Sequence, residues 1–183
     1  VFVLVIDNID WEFEVQPVNF LKELTMGTNQ TLPKLSVQER DRRYGLIRHH
    51  LKNAQVDGVI AGGSNLFYLT NGLPGERYGF LPAAEQPPTV VINFRNLADI
   101  SVQVLLDAQD WIQDIRGGLD ATFIVERIRE LGLECGTLGL AGLSFGGIDH
   151  AFYAQLQAAF PSARLVDVSA IFNDVRTLKS QEE

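Results

Sequence analysis

Apolar positions recur along this chain with one of two spacings, and the spacing assigns the elements. Val37, Tyr44, Ile47, Leu51 and Ala54 fall on one stripe at helical spacing. Ser36 followed by Glu39 has the form of a capping box, in which each side chain satisfies the other's free backbone N–H. Together they predict a helix over 37–53. Residues 58–61 form a short apolar run closed by Gly62 and Gly63, the pattern of a buried strand entering a turn, and 65–70 begin a short helix. After a loop, the β-branched run 89–94 follows Pro87 and Pro88 as a strand, with another strand over 111–115. Asp120 is placed to cap a helix whose Ala121, Ile124, Ile128 and Leu131 share a face and which Gly132 ends in a left-handed turn. Residues 137–141 read as a strand. Ile148, Phe152, Leu156 and Ala159 mark a third helix ended by Pro161, and 165–168 form a last strand. Alternating strands and helices predict an α/β fold, with a mixed, mainly parallel sheet between two layers of helices.

Pro33 and the polar run 27–31 divide an extension over 1–35, whose role the sequence does not reveal, from a domain over 36–175. Residues 176–183 read as a helix leading into a larger domain. The apolar opening run 1–6 falls far short of the roughly 20 residues of a membrane span and lacks a signal peptide's basic start. With one cysteine, Cys135, no intrachain disulfide is possible, and the cytoplasm is the expected compartment. Apolar residues at 46% and charged ones at 21% describe a folded chain, and a net charge of −8 argues against nucleic acid as a partner. Arg40, Arg42, Arg43 and Arg48, interrupted by Glu39 and Asp41, are expected to form the solvated face of the first helix.

Candidate chemistry is sparse. Gly142-Leu143-Ser144-Phe145-Gly146 matches the nucleophile elbow of serine hydrolases between a strand and a helix. The histidine that follows it, His150, lies six residues on along the emerging helix, poorly placed to reach the Ser144 hydroxyl. The expected role of Ser144 is therefore to cap a Gly-rich turn. Adjacent His49 and His50 point about 100° apart on a helix and lack i, i+4 partners, so a metal site there is not expected. Gly62-Gly63-Ser64-Asn65 lacks the Lys-Ser/Thr of a phosphate loop and reads as an ordinary turn. The stretch 71–78 reads as a Gly-rich loop carrying Asn71, Arg77 and Tyr78, groups suited to holding a carboxylate or a flat ligand. Tyr68, just before it, joins them as a candidate contact.

The order of several short motifs carries a resemblance. Asn65-Leu66-Phe67-Tyr68-Leu69-Thr70 after a strand, then Leu165-Val166-Asp167, then Arg176-Thr177-Leu178-Lys179-Ser180-Gln181-Glu182-Glu183, resemble the amino-terminal domain of the creatinase, prolidase and aminopeptidase P family. Asn71 departs from the glycine that often follows the threonine there, and nothing in the family matches residues 1–33. The resemblance implies a three-layer α/β/α domain of ribonuclease H-like kind, itself without catalytic groups. It also implies a homodimeric parent hydrolase whose separate carboxy-terminal domain acts on Xaa-Pro peptides, as a dipeptidase or aminopeptidase, or on a small creatine-like C–N substrate. In peptidase members two divalent ions (Mn, Co or Zn) are held there by two Asp, one His and two Glu, none of which can be assigned to residues of this chain. Arg77 and Tyr78 resemble the loop with which creatinase-like members reach their substrate. A stand-alone ligand-binding module and, less favoured, a serine hydrolase using Ser144 are the alternatives.

Overall fold

Apolar residues alternate across β1 (Gly58–Gly62), sending Val59 and Ala61 to one side and Ile60 to the other, and helices bury both sides. The computed structural model describes residues 35–73, 75–93, 109–118, 120–143 and 147–183. They belong to one compact unit, Leu35–Glu183. Residues 1–34, Phe94 and Ser144 lie outside the described residues, and so do the expectations that rest on them.

Around β1 the described chain adds β2 (Glu76–Pro82), β3 (Thr89–Ile92), β4 (Asp114–Gly117), β5 (Thr137–Ala141) and β6 (Arg164–Asp167). The sheet order is β4-β3-β2-β1-β5-β6. β2 runs antiparallel to β1 and β3, while β1 with β5, β5 with β6 and β3 with β4 are parallel. The sheet is thus mixed and mainly parallel, as the alternation of elements predicts.

Helices α1 (Val37–Asn53), α2 (Ser64–Thr70) and α5 (Ser169–Thr177) cover one face. Tyr44, Ile47 and Leu51 of α1 pack there with Leu66, Leu69, Phe172 and Val175. Helices α3 (Thr122–Glu130) and α4 (His150–Ala159) cover the other face, where Ile124, Ile128, Phe152 and Leu156 meet Phe80, Leu138 and Leu140. This is the expected three-layer α/β/α arrangement.

Three expectations need correction. The predicted loop 71–78 is a loop only as far as Gly75. From Glu76 onward it is β2, a central strand with Phe80 and Leu81 fully buried, so Arg77 and Tyr78 stand on a strand. The helix expected to begin at Arg176 begins at Ser169; Arg176 and Thr177 are its last residues, and the chain beyond is irregular. Helix α4 is capped by Asp149, whose carboxylate accepts from the Phe152 N–H at 2.8 Å.

The third correction concerns the first helix. Ser36 accepts from the Glu39 N–H at 3.1 Å, but Glu39 does not return the bond. The Ser36 N–H instead donates to Glu182 Oε2 at 2.8 Å, and its hydroxyl to Oε1 at 2.6 Å. Half of the capping box is completed by a carboxylate from the other end of the chain, which frees Glu39 to bind arginines. The arginine cluster is accordingly not a solvated face, because Arg43 is only 4% exposed. Its partners lie far along the chain, where a local reading of charge does not look.

Candidate functional site

Two constellations emerge, one on each face of the sheet, and between them they take three of the four candidate residues. On the α3–α4 side, Tyr78 is buried and stacked at 3.8 Å between ring centroids on Phe152 of α4. That packing aims its hydroxyl at Asp149 Oδ2, to which it donates at 2.8 Å. Arg77 Nη2 reaches the same oxygen at 3.3 Å, with both side chains well exposed to solvent. Burial first, and then the bond to Asp149, pushes the Tyr78 phenol up to about 12. The Phe152 N–H and then the Tyr78 hydroxyl hold the Asp149 carboxyl below its usual range. At neutral pH the site therefore presents a neutral phenol, a carboxylate and a guanidinium. Arg77 is available to an incoming carboxylate in exchange for its long contact with Asp149.

On the opposite face, Arg43 projects from α1 between Tyr68 and Trp111, its guanidinium carbon 4.2 Å and 5.2 Å from their ring centroids. Its Nε donates to Glu39 Oε1 at 2.8 Å, Nη1 to the Tyr68 carbonyl at 2.9 Å, and Nη2 to Glu183 Oε1 at 2.8 Å. Arg42 joins Glu39 and Glu183 from the next position, at 2.7 and 2.8 Å. Hydrogen bonds from Arg42, foremost, and Arg43 lower the Glu39 carboxyl to about 2. Tyr68 is thus a wall of this network: it is 6% exposed, and its buried hydroxyl has no hydrogen-bond partner among the described residues.

Asn71 belongs to neither constellation. It ends α2 in the left-handed conformation, at φ 58°, a position asparagine tolerates better than most residues. The turn after it is held by Glu76, whose carboxylate accepts from the Thr70 hydroxyl and from the Leu73 N–H at 3.0 Å. Asp149 and Glu183 are the functional-site residues that local reading missed. Asp149 is recognisable as a cap one residue before a helical stripe; Glu183 offers no local signal.

Backbone packing fixes the edge of the sheet where β1 and β5 end. A Cβ at Gly62 would lie 1.9 Å from the Gly147 carbonyl oxygen, so the turn before α4 rests directly on β1. Among the described residues no three His, Cys, Asp or Glu side chains gather where they could hold a metal ion, and the two histidines of α1 stand edge to face at 5.8 Å. The described residues do not fit a metal centre. No helix among the described residues is long and apolar enough to cross a membrane.

The fold and these constellations define a three-layer domain without a metal centre among its described residues, its closing segment bound back onto its first helix. The chain belongs to the creatinase/prolidase N-terminal domain family, whose model matches residues 43–178. Solved structures agree in fold. An aminopeptidase P from Streptococcus thermophilus matches with a TM-score of 0.58 at 20% identity, over 75% of this chain and 98% of that one. The N-terminal domain of the cytoplasmic peptidase PepQ from Mycobacterium tuberculosis gives 0.56 at 16% identity, over 74% and 98%. An Xaa-Pro dipeptidase from Bacillus anthracis gives 0.61 at 16% identity; 79% of this chain is covered, but only 38% of that longer chain. No curated protein sequence matches significantly.

Proposed function

We propose that this domain is the non-catalytic, amino-terminal part of a dimeric, cytoplasmic hydrolase of Xaa-Pro peptides, and that it covers one side of a catalytic pocket built by a following domain. The observation that carries this reading is the closing segment. The family match ends at Leu178, and from there Glu182 and Glu183 tie the chain to Ser36, Arg42 and Arg43 of the first helix. A segment anchored in this way leaves the domain in a fixed direction, which a cover over another domain's pocket requires. Arg77 and Tyr78, on the edge next to Asp149, are the groups the domain offers to a substrate carboxylate. Two divalent ions, where the parent uses them, belong to the following domain and would activate water there.

Reading the coding sequence beyond Glu183 tests this directly. Continuation into a domain carrying two Asp, one His and two Glu as metal ligands is expected; a stop codon, or a domain without such ligands, would overturn the proposal. The stand-alone module predicts ligand-dependent stabilisation at Arg77 with no such domain following. The serine-hydrolase reading predicts ester hydrolysis lost in Ser144→Ala.

A further inference from the structure

We infer that the crevice beside Arg176 is a binding site for a small carboxylate, a role that goes beyond the reading above. It lies past the carboxyl ends of β1 and β5, parallel neighbours whose onward connections leave on opposite faces of the sheet. β1 runs into α2 on one face and β5 into α4 on the other. A gap opens between them, and open α/β sheets bind ligands at such points. Here the gap is a cavity of about 250 Å³, with Ser64, Asn65, Ser169, Asn173 and Arg176 around a floor of glycine backbone. The approach of Gly147 to Gly62 leaves that floor no room to collapse further.

The lining carries no carboxylate. Arg176 is its one charged member. Its Nη1 donates at 3.3 Å to Ser64 Oγ and at 3.5 Å to Asn65 Oδ1, both long, while Nε and Nη2 have no partner among the described residues. Arg42, Arg43, Arg77, Arg116 and Arg127 each reach a carboxylate; Arg176 reaches none among the described residues. Asn65 is 8% exposed, and with its oxygen turned to Arg176, its amide N–H groups have no acceptor among the described residues. These donors, on a half-buried arginine and a largely buried asparagine, are open to an acceptor that enters the crevice. The Ser64 and Ser169 hydroxyls and the Asn173 amide add neutral donors around the same space.

The charge balance selects the ligand. One guanidinium with no second cation matches a monoanion, and the chain's net charge of −8 opposes a dianion such as phosphate. A planar carboxylate also takes the guanidinium's two free N–H groups side by side. The volume, below the usual range of roughly 300–1,000 Å³ for drug-sized ligands, admits a carboxylate with a few carbon atoms.

The test is a titration of the isotope-labelled 183-residue chain with acetate, and separately with inorganic phosphate, against chloride at constant ionic strength. The Arg176 Nε–H and Asn65 side-chain amide resonances are followed by NMR. Saturable shifts of both with acetate, and weaker ones with phosphate, are expected. Arg176→Gln should weaken acetate by about tenfold or more. Asn173→Asp, at an exposed position, should weaken it by repulsion without disturbing the fold. Shifts that do not saturate, that persist in both variants, or that are as strong with phosphate as with acetate, would overturn the inference.

Discussion

Replacing Arg43 by Ala is the sharpest probe of the network that holds the closing segment. The substitution removes bonds to Glu39, to the Tyr68 carbonyl and to Glu183, together with the stacking on Tyr68 and Trp111. It leaves a Glu39 side chain only 1% exposed, with Arg42 as its remaining cation. Breaking a buried ion pair by deleting one partner costs about 3–5 kcal/mol, and because Arg42 stays bidentate on Glu39 the lower end, about 3 kcal/mol, applies. In urea, with a slope of about 2 kcal/mol/M, that is a midpoint lowered by about 1.5 M at unchanged slope. Arg43→Ala and Glu183→Gln should also be non-additive, with a coupling of about 1–3 kcal/mol in a double-mutant cycle. A loss below about 0.5 kcal/mol, the usual cost of changing a solvated surface residue, would refute the buried-network account.

Three further outcomes follow from the geometry. The Glu39 carboxyl is lowered from 4.5 to about 2, so its contribution to stability is present above pH 4.5 and lost as pH falls toward 2; in Arg42→Ala, which removes the largest cause, the acid transition followed by circular dichroism should move up toward 4.5. Asp149→Ala should cost about 1–2 kcal/mol through the lost cap of α4, and should bring the Tyr78 phenol down from about 12 in an ultraviolet titration. Gly62→Ala meets backbone and should lower the melting temperature sharply, whereas Gly45→Ala, in α1 with nothing within 4 Å of the new methyl, should raise stability by about 0.5–1 kcal/mol.

Where local pattern and tertiary environment agree, the elements were legible. α1 follows from its Ser36 cap and apolar stripe, β5 from an apolar run between Gly-rich turns, and the end of α3 from Gly132 at φ 68°. β2 escaped because Gly72, Gly75, Glu76 and Arg77 read as turn chemistry, while the burial that makes it a central strand comes from its neighbours β1 and β3. α5 escaped for want of length: in nine residues it presents two fully buried anchors, Phe172 and Val175, too few to establish a period. The site was half legible. Arg77 and Tyr78 were found by residue type, but their partner Asp149 lies 72 and 71 residues away, and Arg43 meets Glu183 across 140. Charge pattern along a helix does not report such pairings. The family resemblance did better because it rested on the order of motifs, among them the closing segment whose anchoring the structure then displayed.

The most direct test of the central claim is a peptidase assay on the whole gene product beside the 183-residue chain, each with an Xaa-Pro dipeptide and Mn²⁺. The account predicts turnover by the whole product that a chelator abolishes, and none by the 183-residue chain. Turnover by the 183-residue chain itself, above all if Ser144→Ala removed it, would contradict the account.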